Sequence, residues 1–552
     1  MALELNLRET EDLLRRAGYT LSHSYSSEDE KNLLRGEVLL KIKTVKLKNF
    51  RSYKDEVSID FCDLTAFVGK NDIGKSSILE ALDIFFNEGK GVVKIDKDDI
   101  NKQAVSEGDS EICISVCFDE LPTNIIIDAT NETTLHDEYL VNSSNQLEII
   151  KKYPNAGKEK VYVRAYHPTN PQCKDLLQKT DTELRTIIDQ QQIQCLDRTR
   201  KAVMRAAIWN HHNQDLQLAE IELDVTKGDT KSIWEKLQSY LPVYTLFQSD
   251  RKNSDGDSEV QDPLKEAVKQ ILNNDVLRQT LSEIACEVET KLKEVSDRTL
   301  EKLREMNPDV ANSLNPVIPP AESLKWVDVF KNVSISGDEG IPINKRGSGV
   351  KRLILLNFFR AEAERRKLDR NSSSIIYAIE EPETSQHTEH QKALIRAFLT
   401  LAESPNTQVI ITTHSASLVK ELNFENLRLI SANCGSKTVE TVLPGQLPYP
   451  SLNEVNFLAF SEVTEEYHNE LYGFIEAEGQ LEAYKAGKPT MRYIRILRNG
   501  STKEEQIILT EYIRHQIHHP ENKHNPRYTF EQLRDSICLM RDFIQTLPCS
   551  IG

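Results

Sequence analysis

The sequence predicts an α/β fold: a mixed sheet that carries a phosphate-binding loop, interrupted by a helical insertion and followed by a mostly helical C-terminal domain. Three observations support this prediction. A glycine-rich loop follows a strand-like segment and leads directly into an amphipathic segment at residues 76–86. Strand-like segments return after residue 325 and alternate with helical ones up to about residue 445. Between the two strand-rich parts, and again at the C-terminus, apolar residues recur with the period of an amphipathic helix.

The composition is that of a soluble globular protein. The chain has 552 residues, of which 39% are hydrophobic and 28% are charged, and its formal net charge is −17. This charge argues against a surface built for indiscriminate nucleic-acid binding. The nine cysteines include no CxxC pair, which favours a reducing compartment and gives no support for a zinc site or a disulfide framework. The sequence shows no signal peptide and no membrane-spanning run, so we expect a cytoplasmic protein without membrane contact.

The same patterns divide the chain into five predicted regions. Residues 1–39 are expected to form a helical N-terminal extension. Residues 40–165 are expected to form the first lobe of a head domain, and residues 166–320 the helical insertion. Residues 321–445 complete the head, and residues 446–552 form the helical C-terminal domain.

The most specific motif is the loop GKNDIGKSS, whose first eight residues fit G-x-x-x-x-G-K-[ST]. Its glycines let the backbone curl so that successive N–H groups point at phosphate oxygens, and the helix that follows adds positive potential. Lys75 is expected to reach the β- and γ-phosphates, and the Ser76 hydroxyl is expected to bind Mg²⁺. The predicted nucleotide-binding residues of this loop are Gly69, Lys70, Asn71, Asp72, Ile73, Gly74, Lys75, Ser76 and Ser77.

A second element, SIIYAIEEPE, has the pattern of a buried parallel strand that ends in carboxylates at the active edge of a sheet. We expect Glu380 to hold Mg²⁺ and Glu381 to act as the general base for an attacking water. A helical segment follows, and then the strand QVIITT, which ends at His414. Because a strand–helix–strand unit places both strand ends on one sheet edge, we expect His414 near Glu381 and on the γ-phosphate side.

A further glycine-containing loop, KRGSGVKR at residues 345–352, precedes an apolar helical segment. A serine between glycines at the start of a helix is another phosphate-binding geometry. A loop this short is a weak signal by itself, so its interpretation depends on the other motifs.

Together, and in this order, the four elements resemble those of ABC-class ATPases of the SMC/RecN/OLD type. The resemblance covers roughly residues 40–120 and 325–430. It implies that ATP and Mg²⁺ are bound between two heads in a head-to-tail dimer. Ser348 and Gly349 of one subunit would then contact the nucleotide of the other.

The resemblance also implies nucleotide contacts by Asn49 and Arg51, which precede the glycine-rich loop. The chain departs from the class in three ways. Its serine–glycine sequence is RGSGV and not LSGGQ, the first carboxylate after the strand is Glu380 where Asp is usual, and no Q-loop glutamine can be assigned. Between Lys75 and Glu381 lie 305 residues (381 − 75 − 1), enough for an insertion but without the long coiled coil of SMC proteins.

The sequence EEPE is typical of OLD-like ATPases, many of which carry a C-terminal Toprim nuclease. No DxD pair follows residue 430, so we expect no Toprim domain. The tail after residue 508 and the segment LFQSDRKNSDGDSEVQDPL are similar to the ATPase subunit of Septu anti-phage systems, the PtuA-like family. This similarity implies a regulatory ATPase that controls a small, separate HNH nuclease. In some systems a retron reverse transcriptase with its RNA–DNA hybrid is a further partner, so that nucleic acid is contacted through partners.

Several alternatives remain open. Arg514 and His519 fit R-x4-H, the pattern of HEPN ribonucleases, in which the pair activates a ribose hydroxyl and stabilises the scissile phosphate. The other interpretation is a helix end and turn in which these side chains make structural hydrogen bonds. A DNA-repair or chromosome-maintenance ATPase is a third possibility. Residues 1–39 could dock a partner or cap the head.

Overall fold

The computed structural model describes residues 40–88, 91–128, 131–226, 230–248, 275–306, 374–384, 388–404, 406–433, 436–497 and 499–547. The predicted N-terminal extension and the predicted loop with Ser348 and Gly349 lie outside these ranges. The statements that follow concern the described residues.

The strands occur in three stretches of the described chain. The bounds are β1 (Lys41–Lys48), β2 (Val57–Asp60), β3 (Leu64–Val68), β4 (Glu111–Asp119), β5 (Ile125–Asp128), β6 (Asn131–Thr133), β7 (Leu147–Pro154), β8 (Lys160–Pro168), β9 (Leu218–Asp224), β10 (Val243–Phe247), β11 (Ile375–Glu380), β12 (Thr407–Thr413), β13 (Leu427–Asn433), β14 (Ser436–Thr441), β15 (Thr490–Ile496) and β16 (Thr502–Ile508).

The helices fill the intervals between these strands and most of the C-terminal region. The bounds are α1 (Lys75–Asn87), α2 (Lys102–Ser106), α3 (Asp181–Gln190), α4 (Lys201–His211), α5 (Thr230–Tyr240), α6 (Asp275–Met306), α7 (Thr388–Ala402), α8 (Ala416–Val419), α9 (Leu452–Phe460), α10 (Glu465–Ala477), α11 (Leu481–Lys485), α12 (Leu509–His518) and α13 (Phe530–Thr546).

Two six-stranded sheets form the head. The first is antiparallel throughout, with the order β2-β1-β4-β7-β8-β9. The second has the order β10-β11-β12-β3-β13-β14, in which the first five strands are parallel and β14 is antiparallel to β13. This mixed sheet carries the phosphate-binding loop after β3, as the predicted fold class requires.

The helix α1 follows that loop and packs in the core shared by the two sheets. Five of its apolar residues recur at helical spacing and are all buried there, and they are Ile78, Leu79, Leu82, Phe85 and Phe86. The strands of the mixed sheet divide their side chains between two cores. Phe67 faces α1, whereas Ala66 and Val68 face α7 and α8 on the opposite side. The loop is therefore anchored by a strand that is covered on both faces.

The lysine-rich run at residues 41–54 lies mainly on β1, and three of the four lysines of this strand are paired with acidic side chains. Lys41 Nζ lies 2.8 Å from Asp63 Oδ1, and Lys46 Nζ lies 2.9 Å from Glu148 Oε1. Lys48 likewise pairs with Asp109 at 3.0 Å. The charges of this run are thus largely neutralised within the head.

The region predicted as a helical insertion is less purely helical than expected. Helices α3 to α6 do lie within residues 166–320, but two strands lie there as well. β9 pairs with β8 at the edge of the antiparallel sheet, and β10 pairs with β11 in the mixed sheet. The chain therefore returns to the head twice within this region. β9 was missed because its sequence, LAEIELD, is too polar for a buried strand, and only one of its seven residues is fully buried.

The C-terminal region forms a mostly helical domain with its own core, as predicted. Side chains from α10, α12 and α13 form this core, with the hairpin β15–β16 packed beside α12. The buried carboxylate of Glu454 on α9 accepts hydrogen bonds from Arg541 on α13, with Nε 2.9 Å from Oε2. No helix in the described ranges has the length and apolar character needed to cross a membrane.

Candidate nucleotide-binding site

The predicted motifs meet in one cleft of about 520 Å³ at the edge of the mixed sheet. Its walls come from the segment after β1, from the glycine-rich loop with the start of α1, and from the ends of β11 and β12. The lining residues are Arg51, Ser52, Asn71, Asp72, Gly74, Lys75, Ser76, Ser77, Glu380, Glu381 and His414. Residues separated by some 300 positions in the chain thus lie around a single space.

The topology explains this convergence. β11, β12 and β3 are adjacent and parallel, so their carboxyl ends lie at the same edge of the sheet. The register pairs Glu380 with Thr412, and Thr413 with Val68. The loop after Val68 and the residues after Glu380 and Thr413 therefore leave the sheet side by side.

The loop conformation depends on Gly74. Its φ of 110° lies in the left-handed region, which side-chain-bearing residues rarely adopt. A Cβ atom at this position would lie 2.9 Å from Ser52 Oγ and 3.1 Å from Tyr53 Oη. The buried Tyr53 hydroxyl also donates a hydrogen bond to the Gly74 carbonyl at 3.0 Å. The loop is therefore packed tightly against the segment after β1.

Lys75 is the first residue of α1, and its side chain is nearly fully buried in the loop. Its Nζ donates hydrogen bonds to the Gly69 carbonyl at 2.7 Å and to the Lys70 carbonyl at 2.9 Å. Burial lowers the pKa of Lys75, although the negative charges of Glu381 and other nearby carboxylates oppose this. A buried ammonium at a helix N-terminus offers a strong attraction to phosphate oxygens.

Arg51 reaches the same cleft from the other side. Its Nη1 lies 2.5 Å from Glu80 Oε2, and its Nε donates to Asp99 Oδ1 at 2.8 Å. The guanidinium also lies over the Phe50 ring, 5.1 Å from the centroid. Two carboxylates and a ring therefore fix the orientation of this cation in the cleft wall.

Asn49 does not lie in the cleft, and the predicted nucleotide contact by this residue is corrected. Its side chain is fully buried, and Nδ2 donates to the backbone carbonyls of Asp109 and Glu111 at 3.1 and 3.2 Å. Its Oδ1 accepts from the backbone N–H of Asn101 at 3.2 Å. Asn49 thus satisfies buried backbone groups and shapes the turn that carries Arg51.

Not every residue of the predicted loop lines the cleft. Gly69, Lys70 and Ile73 do not line the cleft. The side chain of Lys70 is exposed, and that of Ile73 packs against the core between the sheets. The other six loop residues line the cleft as predicted.

Glu381 is held in a strained conformation at the end of β11. Its φ is 40°, in the left-handed region, and its backbone N–H donates to both the carbonyl and the hydroxyl of Thr412 at 3.1 Å. Such a conformation costs roughly 1–3 kcal/mol in a non-glycine residue and persists only where surrounding contacts impose it. Strain of this kind is typical of functional sites.

His414 lies beside Glu381, as the strand–helix–strand argument predicts. Its Nδ1 lies 3.2 Å from Glu381 Oε1 and 3.6 Å from Glu383 Oε1. The imidazole is 41% exposed, so part of the ring faces the cleft while the backbone of His414 is fixed below it. The arrangement brings an acid and an imidazole together opposite Lys75.

Two residues at this site were missed in the sequence. Ser52 lines the cleft, and within the described chain its buried Oγ has no hydrogen-bond partner. Glu383 is buried beside His414 and accepts a hydrogen bond from its backbone N–H. The available signals were the position of Ser52 next to Arg51 and the third carboxylate of EEPE.

The donor set fits Mg²⁺. A hydroxyl from Ser76 and a carboxylate from Glu380 both line the cleft, and Mg²⁺ prefers oxygen ligands together with phosphate oxygens and water. The buried Ser52 Oγ adds a further oxygen without a partner among the described residues.

The structure does not bring Arg514 and His519 together into a ribonuclease site. The Arg514 guanidinium stacks on the Tyr472 ring at 3.9 Å, and its Nη2 lies 3.3 Å from Glu476 Oε2. His519 ends α12, and its Nδ1 lies 3.2 Å from Glu521 Oε1. The two side chains have separate partners, which agrees with the structural interpretation of this pair.

The sequence is similar to that of known proteins over the region that contains the head. The sequence matches the AAA ATPase domain family (AAA_15) over residues 40–419. It is 24% identical over 429 residues to a curated protein, Endonuclease GajA of Bacillus cereus (strain HuB5-5). The alignment covers 69% of this chain, which spans only 56% of the length of that relative.

Among solved structures, the chain is similar to SMC head domains. The SMC head bound to the C-winged helix domain of ScpA gives a TM-score of 0.35 at 14% identity, covering 72% of this chain and 96% of that chain. The SMC head domain from Thermotoga maritima gives 0.31 at 13% identity, covering 73% and 99%. TM-scores this low do not establish a shared fold by themselves.

The match to the family runs from β1 to α8, which is more than half of the chain, and it includes every residue that lines the cleft. This chain therefore belongs to the AAA ATPase domain family.

Proposed function

We propose that this chain binds ATP with Mg²⁺ in the cleft and hydrolyses it. The observation that carries the proposal is the meeting of Lys75, Glu381 and His414 around one space. A cation at a helix N-terminus binds phosphate, and a carboxylate opposite it can accept a proton from water. Phosphoryl transfer needs this combination of positioning and charge stabilisation more than it needs covalent chemistry.

Six of the cleft-lining residues have a specific role in this proposal. Lys75 and the first N–H groups of α1 bind the β- and γ-phosphates, and Arg51 adds positive charge from the opposite wall. Ser76 and Glu380 hold Mg²⁺, which neutralises charge on the phosphates. Glu381 orients the attacking water and accepts its proton, and His414 contacts the γ-phosphate side.

The test is a comparison of two variants. We expect Lys75→Ala to lose ATP binding, because the buried ammonium supplies the main attraction for phosphate. We expect Glu381→Gln to bind ATP normally and to lose hydrolysis by on the order of 10²-fold or more, because the proton acceptor is gone. Titration calorimetry measures binding, and phosphate release measures kcat.

The matched control is Lys236→Ala, which removes an exposed lysine of α5 that is not among the cleft-lining residues. Its binding and hydrolysis should equal those of the wild-type protein. Wild-type hydrolysis by Glu381→Gln would show that another group is the base.

We further propose that the chain is the regulatory ATPase of an anti-phage defence complex, pairs head to tail around ATP, and controls a separate HNH nuclease. The support is the similarity of the tail and of residues 246–264 to the ATPase subunit of Septu systems. A relative named as an endonuclease is consistent with a nuclease context, but this chain spans 56% of its length. A nucleotide-dependent dimer would give the partner one surface with ATP bound and another after hydrolysis.

In cells, protection against phage should require Lys75, Glu381 and the catalytic residues of the partner together. A plaque assay compares the ATPase alone, the ATPase with the neighbouring nuclease gene, and the same pair with Lys75→Ala or Glu381→Gln. We expect protection only from the intact pair. Full protection by the ATPase alone would refute the proposed division of labour.

A further inference from the structure

Glu383 lies behind the proposed catalytic pair and is not a part of the cleft wall. It is 3% exposed, and its Oε1 accepts hydrogen bonds from Thr413 Oγ1 at 2.7 Å and from the backbone N–H of His414 at 3.0 Å. The Gln391 side chain on α7 donates to the backbone carbonyl of Glu383 at 3.4 Å. A single carboxylate oxygen thus joins the end of β11 to the end of β12.

The burial of this carboxylate lowers the stability of the fold. Its Oε2 is buried, and within the described part of the chain it has no hydrogen-bond partner. A buried acceptor without a partner costs about 1–3 kcal/mol, and more when it is charged. Glu380 and Glu381 add two further negative charges at the same strand end. An apolar side chain here would relieve both costs, so packing alone does not account for Glu383.

The contacts of Glu383 hold the backbone of His414, whose ring lies beside Glu381. His414 Nδ1 faces two carboxylates, at 3.2 Å from Glu381 and 3.6 Å from Glu383. Because carboxylates only accept hydrogen bonds, the ring nitrogen between them acts as the donor. The ring nitrogen lies closer to Glu381 than to Glu383, while the backbone N–H of His414 is held by Glu383.

We propose that Glu383 is a positioning residue for ATP hydrolysis. Its buried oxygen holds the backbone of His414 and the hydroxyl of Thr413, and this keeps the imidazole against Glu381 and at the γ-phosphate side of the cleft. Glu383 itself touches neither nucleotide nor water. This inference rests on the proposed function.

The substitution Glu383→Ala removes both hydrogen bonds. We expect kcat to fall on the order of tenfold to a hundredfold, because small displacements of catalytic groups have effects of this size. The KM for ATP and the dissociation constant for ATP should change by less than about threefold, because the residue does not bind the nucleotide.

The substitution Glu383→Gln is the rescue variant. It retains an oxygen in the place of Oε1, and its amide group replaces Oε2, which has no partner to lose among the described residues. We expect it to recover at least about a third of the wild-type kcat, because glutamine keeps the hydrogen-bond acceptor and loses only the negative charge. Glu403→Gln, a matched change at an exposed glutamate that follows α7, should leave kcat unchanged.

A third variant keeps the proposal testable if Glu383→Ala fails to fold. Thr413→Val removes the hydroxyl that donates to Glu383, and we expect a kcat between those of the wild type and Glu383→Ala with ATP affinity unchanged. Wild-type kcat in both Glu383→Ala and Thr413→Val would overturn the inference, as would a loss of ATP binding in either variant. An equal loss of kcat in the alanine and glutamine variants would also overturn it. If the wild-type protein does not hydrolyse ATP, the proposed function fails and the inference fails with it.

Discussion

At the scale of single residues, His468 in the C-terminal domain links charge to stability. The imidazole is fully buried, and its Nε2 lies 3.0 Å from Ser536 Oγ. Ser536 in turn donates to Thr510 Oγ1 at 2.9 Å, and the Tyr484 hydroxyl lies 2.8 Å from the same oxygen. Burial, with the positive charge of Arg514 nearby, lowers the pKa of His468 to about 4. The buried histidine is therefore neutral in the folded domain at neutral pH.

The pKa of His468 predicts loss of stability in mild acid. Its ordinary pKa is 6.5, so between pH 6.5 and 4 the unfolded chain binds a proton that the folded domain does not. Stability is full above pH 6.5 and falls as the pH falls, by up to about 3 kcal/mol. His468→Gln should flatten this dependence, because glutamine stays neutral.

Hydrogen exchange in α10 and α13 is the suitable measurement, because all three tryptophans precede residue 330 and fluorescence would not report on this domain. Protection factors, corrected for intrinsic exchange, should fall from pH 7 to pH 4.5 in the wild type more than in the variant. Equal changes in both proteins would show that other groups cause the acid sensitivity.

The same scale shows how far individual side chains could be predicted. The proximity of Glu381 and His414 follows from a general rule about parallel strand ends, so sequence pattern sufficed. Asn49 was misplaced because a motif position does not reveal that an amide is needed by the backbone of Asp109 and Glu111. Glu383 was missed because its burial depends on how two loops pack, which no local pattern encodes.

At the scale of elements, the loop between β3 and α1 depends on a glycine that the packing requires. In Gly74→Ala the new methyl group would meet Ser52 Oγ at 2.9 Å, and φ would stay at 110° only under strain. We expect the loop to shift and the affinity for ATP to fall about tenfold or more, since 1.4 kcal/mol corresponds to a factor of ten.

The matched control is Gly445→Ala, where no heavy atom lies within 4 Å of the added methyl group. Its ATP affinity and melting temperature should match those of the wild type. Tight ATP binding by Gly74→Ala would mean that the loop adapts to a Cβ atom without losing its phosphate-binding shape.

Elements with a strong period were predictable, and elements at sheet edges were not. α1 could be predicted because its apolar residues follow the helical period. In the structure, these residues are all buried. β9 lies at the end of the antiparallel sheet, where one face and one edge contact water. Its sequence therefore lacks the apolar content that marks a buried strand, and β10 is only five residues long.

At the scale of the whole molecule, the head is assembled from segments distant in sequence. β3 pairs with β12 and β13 across about 350 residues, and β10 pairs with β11 across about 130 residues. The motifs predicted this pairing, because a phosphate-binding loop and a strand that ends in carboxylates are expected to form one nucleotide site. The pairing of two heads depends on Ser348, which lies outside the described residues, so it is a prediction about the assembly.

A mixing experiment tests this pairing. Lys75→Ala disables the phosphate-binding loop, and Ser348→Arg disables the surface that the opposite head presents. In a head-to-tail dimer of the two variants, one composite site carries both defects and the other carries neither. The mixture should therefore hydrolyse ATP although each variant alone does not, at roughly a quarter of the wild-type rate if subunits exchange at random.

The control is a mixture of Lys75→Ala and Glu381→Gln. Both residues lie in the cleft of one head, so each composite site in their mixed dimer retains one defect and no activity should return. Recovery in the first mixture and not in the second places Ser348 in the site of the opposite subunit. An inactive first mixture, with mixed dimers confirmed by mass, would mean that each head completes its ATP site from its own chain, and the ATP-dependent pairing would then have to be abandoned.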